Sequence, residues 1–120
     1  MKKYKVILTE SEMRKLNEVR RNDDEFITVD YIDKSNYKKY VGRKVNVTGD
    51  VYLTNLNLRE IPITFGKVDG NFYCYHNRLT SLSGCPSEVC GLIFDCSHNK
   101  KKFTIDDVES LCEVFGKIRV

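Results

Sequence analysis

A Cys-x-His pair occurs twice, as Cys74-Tyr75-His76 and Cys96-Ser97-His98. Two thiolates and two imidazoles would make a tetrahedral zinc set, and a thiol within hydrogen-bond reach of an imidazole is the start of a nucleophilic pair. Both chemistries need the sulfur and the nitrogen on one side of the backbone. Alternation along a strand places Phe72 and Cys74 inside with Tyr73 and Tyr75 outside. His76, one step further along, is also expected to face outward, in which case one ion cannot gather both donors. The sequence also lacks a G-x-S-x-G elbow, a phosphate-binding glycine loop, a Walker motif and H-E-x-x-H. No catalytic residue, metal ligand or cofactor is therefore assigned.

The elements that would position these residues belong to a repeat. Gly49, Gly70 and Gly91 lie 21 residues apart, in the windows Val47-Thr48-Gly49-Asp50-Val51-Tyr52-Leu53, Val68-Asp69-Gly70-Asn71-Phe72-Tyr73-Cys74 and Val89-Cys90-Gly91-Leu92-Ile93-Phe94-Asp95-Cys96. A period of this length marks a stacked solenoid. From Phe72 the chain fits L-x-L-x-x-N-x-L-x-x-L, with Cys74 in a leucine position. The third unit supplies Phe94, Cys96 and Asn99 after one inserted residue, and the first has Leu56 where asparagine belongs. Asn77 and Asn99 are expected to turn inward and bond backbone groups that lose their ladder partners as the chain leaves the strand.

The run G-N-F-Y-C-Y-H-N-R-L-T-S-L-S-G-C-P, preceded by V-T-G-D-V-Y-L-T-N-L-N-L-R-E-I-P and F-G-K, resembles short leucine-rich-repeat-like proteins common in tailed bacteriophages. The resemblance covers about residues 45 to 99 and is one of repeat type. Lys100-Lys101-Lys102 replaces an expected leucine, so the array is expected to end there.

These features predict an α/β chain: a short leucine-rich-repeat-like solenoid of about three coils with a parallel sheet and helical caps at both ends. Residues 1–44 read as the N-terminal cap, 45–103 as the coils and 104–120 as the C-terminal capping helix, all in one domain of 120 residues. Within the first part, Tyr4–Leu8 reads as a strand. Thr9 and Glu12 have capping-box spacing for a helix over Glu10–Arg21, with Met13, Leu16 and Val19 as its apolar stripe. Phe26–Ile32 reads as a strand and Ser35–Val41 as a helical turn. At the other end Thr104 caps a helix with Asp106 and Asp107 in its first turn; Ile105, Val108, Leu111, Cys112 and Phe115 share one face, and Gly116 stops it.

Composition narrows the setting. There is no 18-residue apolar stretch and no secretory leader, so a cytoplasmic protein with no membrane association is expected. Five cysteines, an odd number, then read as reduced thiols. Net charge is +3, with the basic excess in residues 1–44, where 12 Lys and Arg face 8 Asp and Glu. That is an ordinary solvated surface rather than a continuous positive track.

What remains is the outer face of the stacked strands. Tyr52, Tyr73 and Asp95 form one expected ladder, Thr54, Tyr75 and Ser97 a second, and Asn55, His76 and His98 a third. Arg78, Lys100 and Lys101 border them. Tyrosine-rich patches suit protein interfaces, because a rigid ring covers apolar area while its hydroxyl makes a directional bond. Cross-strand stacking and β propensity would also place aromatics there. The leading expectation is a non-catalytic protein-interaction module that uses these residues. The resemblance adds a phage accessory protein that binds and modulates or inhibits a bacterial host protein, such as one of defence. Nucleic-acid binding, with rings on bases and cations on phosphates, and a metal or enzymatic role for the repeated Cys-x-His are the alternatives. Oligomeric state is open, since a short solenoid can pair through an uncovered edge.

Overall fold

A valine, one further residue and a glycine recur at Val47, Val68, Val89 and Val114. Each instance is a corner between two strands. In the computed structural model, which describes residues 25–120, one strand precedes each corner and another follows it. β1 (Ile27–Val29), β2 (Lys44–Val47), β4 (Thr64–Val68), β6 (Glu88–Val89) and β8 (Glu113–Val114) form a sheet in the order β1-β2-β4-β6-β8. β3 (Val51–Tyr52), β5 (Phe72–Tyr73), β7 (Ile93–Asp95) and β9 (Lys117–Arg119) form a second, in the order β3-β5-β7-β9. All pairings are parallel. The chain is a β-solenoid of about four turns.

Register puts like on like. Val47 pairs with Val68, Val68 with Val89 and Val89 with Val114 in one sheet, while Val51, Phe72, Phe94 and Ile118 align in the other. Burying such rows between the two sheets is the main stabilising term for a stack whose coils cannot fold alone. Phe72 and Phe94 are fully buried, with ring centroids 5.2 Å apart. The spacing along that aligned row grows from 21 to 22 to 24 residues, so the loops absorb the extra residues and the register is kept.

The corner glycines are set by close approach of backbones. A Cβ on Gly49 would sit 2.6 Å from the Asp30 carbonyl oxygen, and one on Gly70 2.6 Å from that of Gly49. Between β2 and β4 the register slips by one residue, a β-bulge. The side-chain oxygen of Asn46 accepts the Lys67 N–H there, at 2.8 Å.

The solenoid is longer at both ends than the repeat suggested. Ile27–Val29 pairs with β2, and Ile32 bridges to Val51, so residues 27–32 contribute to the array and do not simply cap it. A 3₁₀ turn at Tyr37–Tyr40 lies where a helical turn was expected. The expected strand at Tyr4–Leu8 and helix at Glu10–Arg21 lie outside the described residues.

At the C-terminal end the expected long capping helix is replaced by α1 (Ile105–Glu109) followed by β8 and β9. Thr104 does cap α1: its hydroxyl accepts the Asp107 N–H, and the Asp107 carboxylate accepts the Thr104 N–H at 2.9 Å. Of the supposed apolar stripe only Val108 and Cys112 are buried, while Ile105, Leu111 and Phe115 are half exposed or more. The backbone explains the difference. Another coil pairs the open edges of β6 and β7 through bonds such as Glu113 N–H to Ser87 O (2.9 Å) and Cys96 N–H to Arg119 O (2.9 Å), which a continuing helix could not supply. Lys100–Lys102 therefore leads into one more turn. Among the described residues, no helix is long and apolar enough to cross a membrane.

Candidate functional site

The outer face is held in place by the asparagines beneath it. Asn77 is buried; its side-chain oxygen accepts the N–H groups of Leu56 (3.0 Å) and Leu58 (3.1 Å). Its amide nitrogen donates to the carbonyls of Leu53 (2.5 Å), Cys74 (3.1 Å) and Tyr75 (3.3 Å). Asn99 repeats the arrangement one coil on, accepting from Leu79 and donating to Cys74, Cys96 and Ser97. Each asparagine thus ties its own turn to the preceding coil, the role read from the sequence.

Immediately before each asparagine the backbone turns left-handed. His76 and His98 have φ of 54° and 55°, and Asn55, their counterpart in the coil before, 59°. Strand alternation alone would put His76 on the side of Cys74. The positive φ reverses that, leaving Cys74 fully buried and His76 exposed. Asparagine and histidine are among the non-glycine residues that enter this region most readily.

The rings form a continuous strip. Tyr52 and Tyr73 stack at 4.8 Å with planes 11° apart, and His76 and His98 at 4.5 Å and 3°. Tyr75 joins the two stacks edge-on, 6.1 Å from Tyr73 and 5.3 Å from His76. Tyr52 is 47% exposed, and Tyr73 and Tyr75 are half-buried by their neighbours. Burial, with Asp50 beside it, raises the Tyr52 phenol above its ordinary range, so the hydroxyl stays a donor at neutral pH.

Asp95, expected on this face opposite Tyr73, pairs with it in register but is buried. Its carboxylate is used internally, accepting the Ser97 N–H at 3.0 Å and hydroxyl at 2.7 Å, with the Arg119 guanidinium 3.9 Å away. A side-chain bond to the residue two positions on is a common aspartate habit, and Asp95-Cys96-Ser97 is the signal for it.

Arg78 and Lys100 meet, as their positions suggested, but in a groove of about 230 Å³ that is completed by Arg59 and Thr80. These last two lie outside the face expected from the sequence. Arg59 and Thr80 each follow an inward leucine, Leu58 and Leu79, in successive coils, and that repetition is the signal that places them side by side. Lys101 departs from this group, its ammonium lying over the Phe103 ring at 5.6 Å.

The interior thiols are a separate population. Burial drives the Cys74 thiol well above its ordinary range and pushes Cys85 up to about 11 and Cys96 and Cys112 to about 12. All five cysteines are free thiols. Among the described residues, no group of three or more His, Cys, Asp or Glu side chains is placed to hold a metal ion. The shifts set a pH dependence. Below about pH 8.5 folded and unfolded chains both keep these protons. Above it the unfolded chain ionises first, so stability falls as pH rises through the folded values of about 11 to 12. Thermal melts from neutral to alkaline pH should show this decline, and Cys96→Ala should make it shallower. An unchanged slope in that variant would exclude the thiol as its cause.

No protein-family model, no curated protein and no solved structure matches the chain.

Proposed function

We propose that this chain is a non-catalytic protein-binding module whose contact surface is the Tyr52, Tyr73, Tyr75, His76 and His98 strip. The observation that carries the reading is the way the rings are used. Tyr52 and Tyr73 cover one another's faces, as do His76 and His98, and Tyr75 bridges them edge-on. Nucleic-acid bases bind by stacking on open ring faces, and here the inner faces are taken. Ring edges, phenol hydroxyls and imidazole nitrogens remain for a ligand, which suits the mixed apolar and directional contacts of a protein surface. The rigid stack also limits the side-chain entropy lost on association.

The repeat wording supports a leucine-rich-repeat-like accessory protein of a phage, acting in the bacterial cytoplasm on a host protein that it modulates or inhibits. Affinity capture from bacterial lysate, read by mass spectrometry, tests the binding role. We expect a host protein enriched by the wild-type chain and reduced about tenfold or more with Tyr73→Ala/Tyr75→Ala. Identical capture by both, with the variant's fold intact by circular dichroism, would overturn the assignment of the face.

A further inference from the structure

The groove of Arg59, Arg78, Thr80 and Lys100 presents an unbalanced charge. Its three cations come from three successive coils, and no carboxylate lines it. The ion pairs formed among the described residues, Lys67 with Asp69 and Arg119 with Asp95, involve none of the three. All four groove residues are exposed. Parallel coils repeat at about 4.8 Å, so the side chains are brought close enough to repel one another across the groove. A ligand bearing several negative charges removes that repulsion.

We infer that this groove binds an acidic, extended segment of a protein partner, its Asp and Glu carboxylates paired with Arg59, Arg78 and Lys100. The Thr80 hydroxyl adds a hydrogen bond. Arginine suits this task, because its planar fork meets a carboxylate through two parallel N–H bonds. Arg78 follows His76 by two residues and Lys100 follows His98 by two, so the groove borders the aromatic strip and extends the same surface. A polynucleotide would meet the cations equally well. Each stacked ring beside the groove has one face covered by its neighbour, which leaves fewer faces for bases, and this favours peptide. The inference rests on the protein-binding reading and adds the chemistry of the partner.

Fluorescence anisotropy with a labelled oligoglutamate peptide, on the full chain at low salt, tests it without any knowledge of the natural partner. The expected result is saturable binding that weakens with added salt and falls about tenfold or more in Arg59→Gln/Arg78→Gln. Lys34→Gln/Lys39→Gln, which removes the same net charge from exposed positions elsewhere, should leave it within about twofold of wild type. Three outcomes would overturn the inference: no binding at low salt, equal losses in the two double variants, or tighter binding of a single-stranded oligonucleotide of equal charge. Each leaves the tyrosine-dependent capture experiment unaffected, so failure of the groove and failure of the aromatic face are read separately.

Discussion

Asn77→Ala should lower folding stability by about 4 kcal/mol, measured by urea denaturation. Two backbone N–H groups, of Leu56 and Leu58, and three carbonyls, of Leu53, Cys74 and Tyr75, lose a partner together. The Cys74 carbonyl keeps Asn99 and the Tyr75 carbonyl keeps the Asn55 N–H, so the Leu56 and Leu58 N–H groups and the Leu53 carbonyl are left unpaired, at about 1–3 kcal/mol each, with water recovering part of it at the coil edge. Asn99 is less buried and receives one N–H instead of two, so Asn99→Ala should cost about half as much. Asn77→Asp is the finer probe. It keeps an acceptor for Leu56 and Leu58 but has no donor for the carbonyls, so it should fall well short of wild type. A loss below about 1 kcal/mol in Asn77→Ala would mean that the stack is held by its apolar rows alone.

Gly70→Ala should be nearly as damaging, at about 3 kcal/mol by the same denaturation assay. The added Cβ would meet the carbonyl oxygen of Gly49 at 2.6 Å and its carbon at 2.7 Å. Both belong to backbone, so no side-chain rotation relieves the contact. Gly42 provides the contrast. It has φ of 80° with open space around its Cβ position, and Gly42→Ala should cost only the backbone term of about 1–2 kcal/mol. If Gly70→Ala proved milder than Gly42→Ala, intercoil contact would not be the reason for the recurring glycine. For a domain of this size, whose stability is about 5–15 kcal/mol in all, either change predicted for Asn77 or Gly70 removes a large share.

Much of this architecture was legible because it rests on residues that cannot be exchanged. The glycines recur where backbones touch, and the asparagines recur where the strand ladder stops. Inward Phe72 and Cys74 and outward Tyr73 also followed from strand alternation. The β1-β2-β4-β6-β8 sheet was not legible as such: β6 is Glu88–Val89 and β8 is Glu113–Val114, too short for a two-residue period to show. Its trace was the valine two residues ahead of each glycine, present at Val47, Val68, Val89 and also at Val114.

The same motif would have revealed the last coil. Val114-Phe115-Gly116-Lys117-Ile118 repeats Val68-Asp69-Gly70-Asn71-Phe72 in its valine, its glycine and its final apolar residue. Locally, the helical spacing from Ile105 to Phe115 is the stronger pattern. The pairing available at the edges of β6 and β7 decided the fold, and that is a property of the assembled stack which no window of sequence contains. On the candidate face, the aromatic ladders were legible from register, while burial of Asp95 and the turn of Lys101 toward Phe103 depended on neighbours distant in the chain.

The left-handed rim at Asn55, His76 and His98 limits how this surface can diversify. A β-branched or bulky residue there would oppose the left-handed backbone at each of these positions. Variation is restricted to a small alphabet of glycine, asparagine, aspartate and histidine, whatever the ligand demands. Chemical novelty must then enter at the flanking tyrosine and arginine positions, which lie outside the left-handed region. Directed libraries built on this scaffold should randomise those columns and leave the rim alone.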